Sequence, residues 1–174
     1  MLTIPTILIT GPVGVGKTTV ASELSWMLEA LHVPHGFIDT DAISVTYPPL
    51  PPHLTLRNLE AVWKNYQAAG ATRLILTQVI YSRAELEGFR AAVPGAEITV
   101  FRLWARPDTL LSRVDARELG GLGQEIHRRQ ALELAVEMEE AAVEDHSVDT
   151  EGRSPKEVAN EILRLSGWEA GLSN

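Results

Sequence analysis

Cysteine is absent from this sequence. Disulfides, thiolate metal sites and cysteine nucleophiles are therefore excluded. No apolar run is long enough to cross a bilayer: the first, Thr6-Ile7-Leu8-Ile9, meets glycines just after Thr10. Met1 to Pro5 carries no basic residue, so the N-terminus does not read as a signal peptide, and a cytoplasmic location with no membrane partner is expected. Positive charge is scarce as well. Fifteen Lys and Arg stand against 23 Asp and Glu, for a formal net charge of −8. Such a chain repels a nucleic-acid backbone unless its cations are concentrated. The one dense basic cluster is Arg128-Arg129, with Arg113 and Arg117 a few turns earlier. That is too little for a nucleic acid and about right for one triphosphate. His35, His53, His127 and His146 lack metal-ligand spacing and read as structural or solvent-facing. There is no internal repeat, heptad run or interdomain linker, so residues 1–174 are expected to form one domain. The sequence leaves oligomeric state undetermined.

What is present alternates between strand and helix. Ile4–Thr10 reads as a short buried strand. Lys17–His32 reads as a helix, with Val20, Leu24, Met27, Leu28 and Leu31 at three- and four-residue spacings. A second strand covers Gly36–Ile38. Tyr47–Pro52 holds four prolines, which remove backbone donors, and is expected to be a stiff loop. A helix over Leu56–Ala69, a strand over Arg73–Ile80 and a helix capped by Ser82 and running to Val93 follow. Further on come a strand over Ile98–Trp104, a helix from Pro107 to about Leu119, a break at Gly120–Gly123, and a helix over Gln124–Val143. A weak strand at Ser147–Thr150 and a helix opened by Ser154-Pro155-x-Glu157 close the chain. Trp63, Tyr66 and Trp104 have core-like spacing. This alternation predicts an α/β fold: three layers, α/β/α, around a five-stranded parallel sheet.

The strongest chemical signal is Gly11-Pro12-Val13-Gly14-Val15-Gly16-Lys17-Thr18. It matches G-x-x-x-x-G-K-[ST] in full, with a strand before it and a helix after it, which is the context the motif requires. Glycines at 11, 14 and 16 let the backbone curl so that its N–H groups form an anion nest, lined also by Val13, Val15 and Thr19. The helix N-terminus adds partial positive charge. Lys17 reaches the β- and γ-phosphates of ATP, and the Thr18 hydroxyl is a ligand for Mg²⁺.

Three P-loop classes fail on what is missing. A GTPase needs an early D-x-x-G and a later N-K-x-D. Asp149-Thr150-Glu151-Gly152 has the first pattern but at the wrong end of the chain, and the second is absent. Leu119–Gln124 faintly matches the ABC-transporter signature, but no apolar strand ends in Asp-Glu. The chain is also short for an AAA+ module. The kinases of small molecules remain, and Asp39-Thr40-Asp41 supports them. These carboxylates stand two residues apart at a strand end, where a parallel sheet presents its ligand crevice. One can help hold Mg²⁺ while the other accepts a proton from a substrate hydroxyl.

With these residues in view, the chain resembles the P-loop kinase superfamily of shikimate kinase, gluconate kinase, adenylylsulfate kinase and chloramphenicol phosphotransferase. The resemblance follows element order along nearly the whole chain and implies a nucleoside-monophosphate-kinase-like fold. For Phe37-x-Asp39-Thr40-Asp41 it implies that Asp39 lies near Mg²⁺ and Asp41 touches the acceptor hydroxyl as the base. A mobile lid is implied around 117–129, with Arg117, then Arg113, over the phosphates. A substrate-binding segment is implied around 44–66, including Tyr47 and Arg57. Val79-Ile80-Tyr81-Ser82-Arg83 resembles the strand-three end of adenylylsulfate kinases and assigns Arg83 to the acceptor. Shikimate kinases carry a glycine-rich motif there. Here Thr77-Gln78-Val79 replaces it, which places Gln78 beside the acceptor and leaves the acceptor unnamed. The loop 150–155 is implied to lie beside the adenine, with Arg153 stacking on it. The resulting expectation is an ATP- and Mg²⁺-dependent kinase acting on a small-molecule hydroxyl. The alternative is a nucleotide-binding regulatory module, or an ATPase without an acceptor.

Overall fold

A computed structural model describes residues 3–48, 51, 53–118 and 120–168. Its strands are β1 (Ile4–Thr10), β2 (His35–Asp39), β3 (Arg73–Thr77), β4 (Ala96–Trp104) and β5 (His146–Asp149). Its helices are α1 (Lys17–Ala30), α2 (His53–Ala68), α3 (Glu85–Ala92), α4 (Pro107–Arg117), α5 (Leu122–Ala141) and α6 (Pro155–Leu165). The strands form one five-stranded sheet in the order β2-β3-β1-β4-β5, parallel throughout. Parallel strands need crossovers, and the helices that supply them cover both faces.

Period-two alternation along β1 divides the core. Ile7 and Ile9 face α1, α4, α5 and α6, packing with Leu24, Leu28, Val114, Ala131 and Ile162. Leu8 faces α2 and α3, packing with Leu59, Trp63, Leu76 and Phe89. The observed architecture is therefore three-layered, α/β/α. At the carboxyl ends the register sets Ile9 beside Thr77 and Phe101, and Thr77 beside Asp39. The loops bearing the site therefore leave the sheet at one level.

Several boundaries differ from expectation. Helix α2 begins at His53, not Leu56, and Leu54 in its first turn donates its N–H to the Pro51 carbonyl at 2.9 Å. Arg57 stands in its second turn. Strand β3 stops at Thr77, where the chain turns across β1: Gln78 donates its N–H to the Ile9 carbonyl and Ile80 to Thr10 Oγ1. Ser82 does not cap α3. The Glu85 carboxylate accepts from both the Tyr81 N–H and the Ser82 hydroxyl, and the helix starts at Glu85. Helix α4 ends at Arg117 and helix α5 absorbs Gly123 and starts at Leu122, so the break shifts to 118–121, with Leu119 outside the described residues. Of the three aromatics expected in the core only Trp63 is there, 1% exposed. Tyr66 and Trp104 are each 37% exposed, one lying over Gly36 at the sheet edge and the other at the last position of β4. The Ser154–Glu157 capping box at α6 is present in full.

Candidate nucleotide and phosphoryl-transfer site

The loop between β1 and α1 is shaped by close approach. Gly11 has φ +147°, and a Cβ there would lie 2.6 Å from the Leu103 carbonyl oxygen and 2.9 Å from Val15 Cγ1. Only glycine lets the turn sit this low on the sheet. Gly16, at φ +101°, precedes α1 in the left-handed region with open space around it, and no side chain caps the helix. The first turn of α1 thus keeps its N-terminal partial charge for a ligand.

Lys17 folds back over this loop, donating to the carbonyls of Gly11 at 2.9 Å and Pro12 at 3.2 Å. Its ammonium is pushed below the usual lysine range, first by burial and further by Arg117, while Asp41 and Asp39 oppose the shift. Thr18 Oγ1 donates to Asp39 Oδ2 at 2.7 Å, and Asp39 Oδ1 accepts the backbone N–H of Asp41 at 3.1 Å. One carboxylate therefore joins the phosphate loop to the turn that carries the other. The Asp41 carboxyl is raised above its ordinary range. Crowding by the surrounding protein is the first cause and the neighbouring Asp39 charge the second, with Lys17 opposing. The Asp41 side chain nonetheless opens to solvent through the cleft.

The cleft above the loop has a volume of about 680 Å³. Residues 13–20 form its floor. Asp41 stands at one end, with Thr150, Arg153, Pro155 and Val158 at the other. Arg113 and Arg117 of α4 and His127 and Gln130 of α5 form a wall. Arg113 is already engaged: its Nη1 donates to Val15 O at 3.2 Å and Thr150 Oγ1 at 2.9 Å, and its Nη2 to Thr150 O at 2.9 Å. It fastens the phosphate loop and the end of β5 to α4. Arg153 donates to the carbonyls of Asp149 and Glu157 and pairs with Glu161 at 2.7 Å. Arg117 pairs with Glu118 at 3.1 Å.

The residues expected to hold an acceptor are mostly elsewhere; only Asp41 lines the cleft. Gln78 accepts the Thr40 hydroxyl and donates to Val79 O, tying the ends of β2 and β3 together. Arg83 reaches the chain ahead of β5, pairing with Asp145 at 3.0 Å and the Glu144 carbonyl at 3.3 Å. Tyr47 is 98% exposed, and Arg57 projects into solvent from α2. Across the break, Arg128 and Gln124 both reach Asp115, while Arg129 faces Glu133 of its own helix at 3.8 Å. His127 and Gln130 were not read as site residues. The signal that marks them is their i, i+3 spacing on one face of the helix just after the glycine break.

Among the described residues, no group of three or more His, Asp or Glu side chains is arranged to hold a metal unaided. The Thr18 hydroxyl and Asp39 carboxylate nevertheless form a hard-oxygen pair at the mouth of the phosphate nest. That pair suits Mg²⁺, which takes its other ligands from phosphates and water.

No protein-family model matches the chain, and no curated protein does. Solved structures do. A gluconokinase from Sinorhizobium meliloti 1021 is 20% identical, with 98% of each chain covered and a TM-score of 0.59. The tunicamycin resistance protein of Deinococcus radiodurans is 22% identical over 94% of this chain and 96% of its own, TM-score 0.65. A shikimate kinase from Acinetobacter baumannii, solved with shikimate, is 21% identical over 94% and 93%, TM-score 0.59. The fold of this chain is the one these three proteins share, the gluconokinase and the shikimate kinase among them.

Proposed function

We propose that this protein is an ATP- and Mg²⁺-dependent kinase that transfers the γ-phosphoryl group to a hydroxyl of a small molecule. The observation that carries the reading is the chain of contacts Thr18–Asp39–Asp41 beside the phosphate loop, with Asp41 facing the cleft. Bound ATP supplies the phosphoryl group, and Mg²⁺, held through Thr18 and Asp39, offsets phosphate charge. The protein's share is positioning and electrostatics, since phosphoryl transfer asks little covalent chemistry of its side chains. Backbone N–H groups of residues 13–19 cradle the phosphates. Lys17 gives up its backbone carbonyls to reach them. Asp41 orients the acceptor hydroxyl and takes its proton as the oxygen bonds to phosphorus and ADP departs. Its raised pKa brings it closer to neutral pH, where a general base is most effective.

On this reading residues 1–174 are one kinase domain. The segment around 117–129 closes over the phosphates and brings Arg117 to them. The acceptor enters beside Asp41, toward the segment 44–66. No described helix is long and apolar enough to cross a membrane, and the reading places the protein in the cytoplasm acting on dissolved metabolites.

The test is ADP release in a coupled assay against sugars, amino alcohols, nucleosides and antibiotics. The phosphorylated product is identified by mass spectrometry. Acceptor-dependent ADP formation at Asp41-dependent rates supports the kinase. ATP binding with slow hydrolysis that no acceptor stimulates replaces it with a nucleotide-binding module.

A further inference from the structure

His127 has the spacing of an ordinary helix-surface histidine, yet it stands on the wall of the nucleotide cleft. Its Nδ1 is 2.9 Å from Glu118 Oε1. The same oxygen accepts Arg117 Nε at 3.3 Å and Nη2 at 3.1 Å. One carboxylate, just past the end of α4, thus holds a cation from α4 and an imidazole from α5 across the glycine break. The Glu118 carboxyl is held below its ordinary range, first by the His127 hydrogen bond and then by Arg117, against partial burial. Arg117 and His127 line the same cleft as Lys17, and Arg117 is close enough to Lys17 to disfavour its charge. His127 makes no other hydrogen bond among the described residues, so its Nε2 is uncommitted.

We propose that His127 is a nucleotide-binding residue, donating Nε2–H to a phosphate oxygen, and that Glu118 is the residue that positions it together with Arg117. The inference rests on the nucleotide-binding half of the proposed function and is independent of any acceptor. For both ring nitrogens to donate, one to Glu118 and one to phosphate, the ring must be the imidazolium. The charged groups around it are its partner Glu118 and, lining the same cleft, Arg117 and Arg113 of α4, Lys17, Asp41 and Arg153; on its own helix Arg128 is turned to Asp115. A phosphate oxygen that accepts from Nε2 favours a proton on that nitrogen, so nucleotide binding is expected to be linked to proton uptake at His127.

Calorimetric titration of MgADP into the full-length protein, at one near-neutral pH in two buffers of different ionisation enthalpy, measures this proton. The wild type is expected to take up a larger fraction of a proton per nucleotide than His127→Gln, and the variant to bind roughly 10-fold more weakly. Glu118→Gln should lose the proton difference while retaining Lys17-dependent binding. Circular dichroism and melting temperature confirm that each variant is folded. Equal proton uptake in wild type and His127→Gln overturns the proposal, whether or not affinity changes. Absence of MgADP binding by the wild type overturns the nucleotide reading beneath it.

Discussion

Thr18 Oγ1 donates to Asp39 Oδ2 at 2.7 Å, joining the first turn of α1 to the end of β2. On the proposed reading these two oxygens share a Mg²⁺ ion in the loaded protein, and without it they satisfy each other. Asp39→Asn removes the charge but keeps an oxygen and the shape. It is expected to raise the Mg²⁺ concentration needed for half-maximal ADP affinity by about 10-fold, a typical cost of losing a charged partner. ADP binding without Mg²⁺ should change little. Titrations across a Mg²⁺ series check this, and an unshifted Mg²⁺ dependence removes Asp39 from the metal site.

Asp41→Asn should separate activity from stability. The folded protein holds the Asp41 carboxyl above its unfolded value. Between those two values the native state binds more protons, so stability falls as pH rises, and at neutral pH ionised Asp41 opposes folding. The variant should therefore melt slightly higher than the parent at neutral pH, with the difference vanishing in acid. Turnover on a verified acceptor should fall by ~10²–10⁴-fold, the usual contribution of a general base. A variant that melts lower, or turns over normally, contradicts the assignment.

Gly11→Ala tests the seat of the phosphate loop. The new Cβ meets the Leu103 carbonyl at 2.6 Å in a backbone conformation that side chains avoid. Strain of this kind costs roughly 1–3 kcal/mol, and the loop must lift off β4 to relieve it. Urea denaturation should show that loss. Nucleotide affinity should fall as well, because the displaced N–H groups no longer converge.

Arg113→Gln tests a structural role in a residue first read as a phosphate ligand. Its guanidinium ties Val15, Thr150 and α4 together. Hydrogen bonds from a charged donor are worth about 1.5–3 kcal/mol. The variant should lose stability of that order before any nucleotide is added, which a residue serving only phosphate would not do.

The motif from Gly11 to Thr18 was legible because its chemistry is local: a strand, a turn of glycines and a helix start lie next to one another in the chain. The five strands and six helices were legible too, through hydrophobic period and through caps such as Ser154 and Glu157. Boundaries erred where the deciding partner came from elsewhere. Strand β3 ends early because Ile9 and Thr10, some 70 residues away, claim the N–H groups of Gln78 and Ile80. Ser82 looked like a cap until Glu85 took its hydroxyl.

Sequence by itself determined the fold class, the glycine-rich turn between β1 and α1 and the pairing of two carboxylates at a strand end, since each is written in neighbouring residues. Tertiary structure alone decided which partners the long cationic side chains take. Arg83 pairs with Asp145, Arg153 pairs with Glu161 and Arg113 donates to Thr150, the last two while lining the cleft, and His127, indistinct in the sequence, lines it too beside its partner Glu118. The physical reason is reach. Arginine side chains are long and donate in several directions, so their partners are set by whatever the packed helices place within a few ångströms, and no spacing along the chain encodes that.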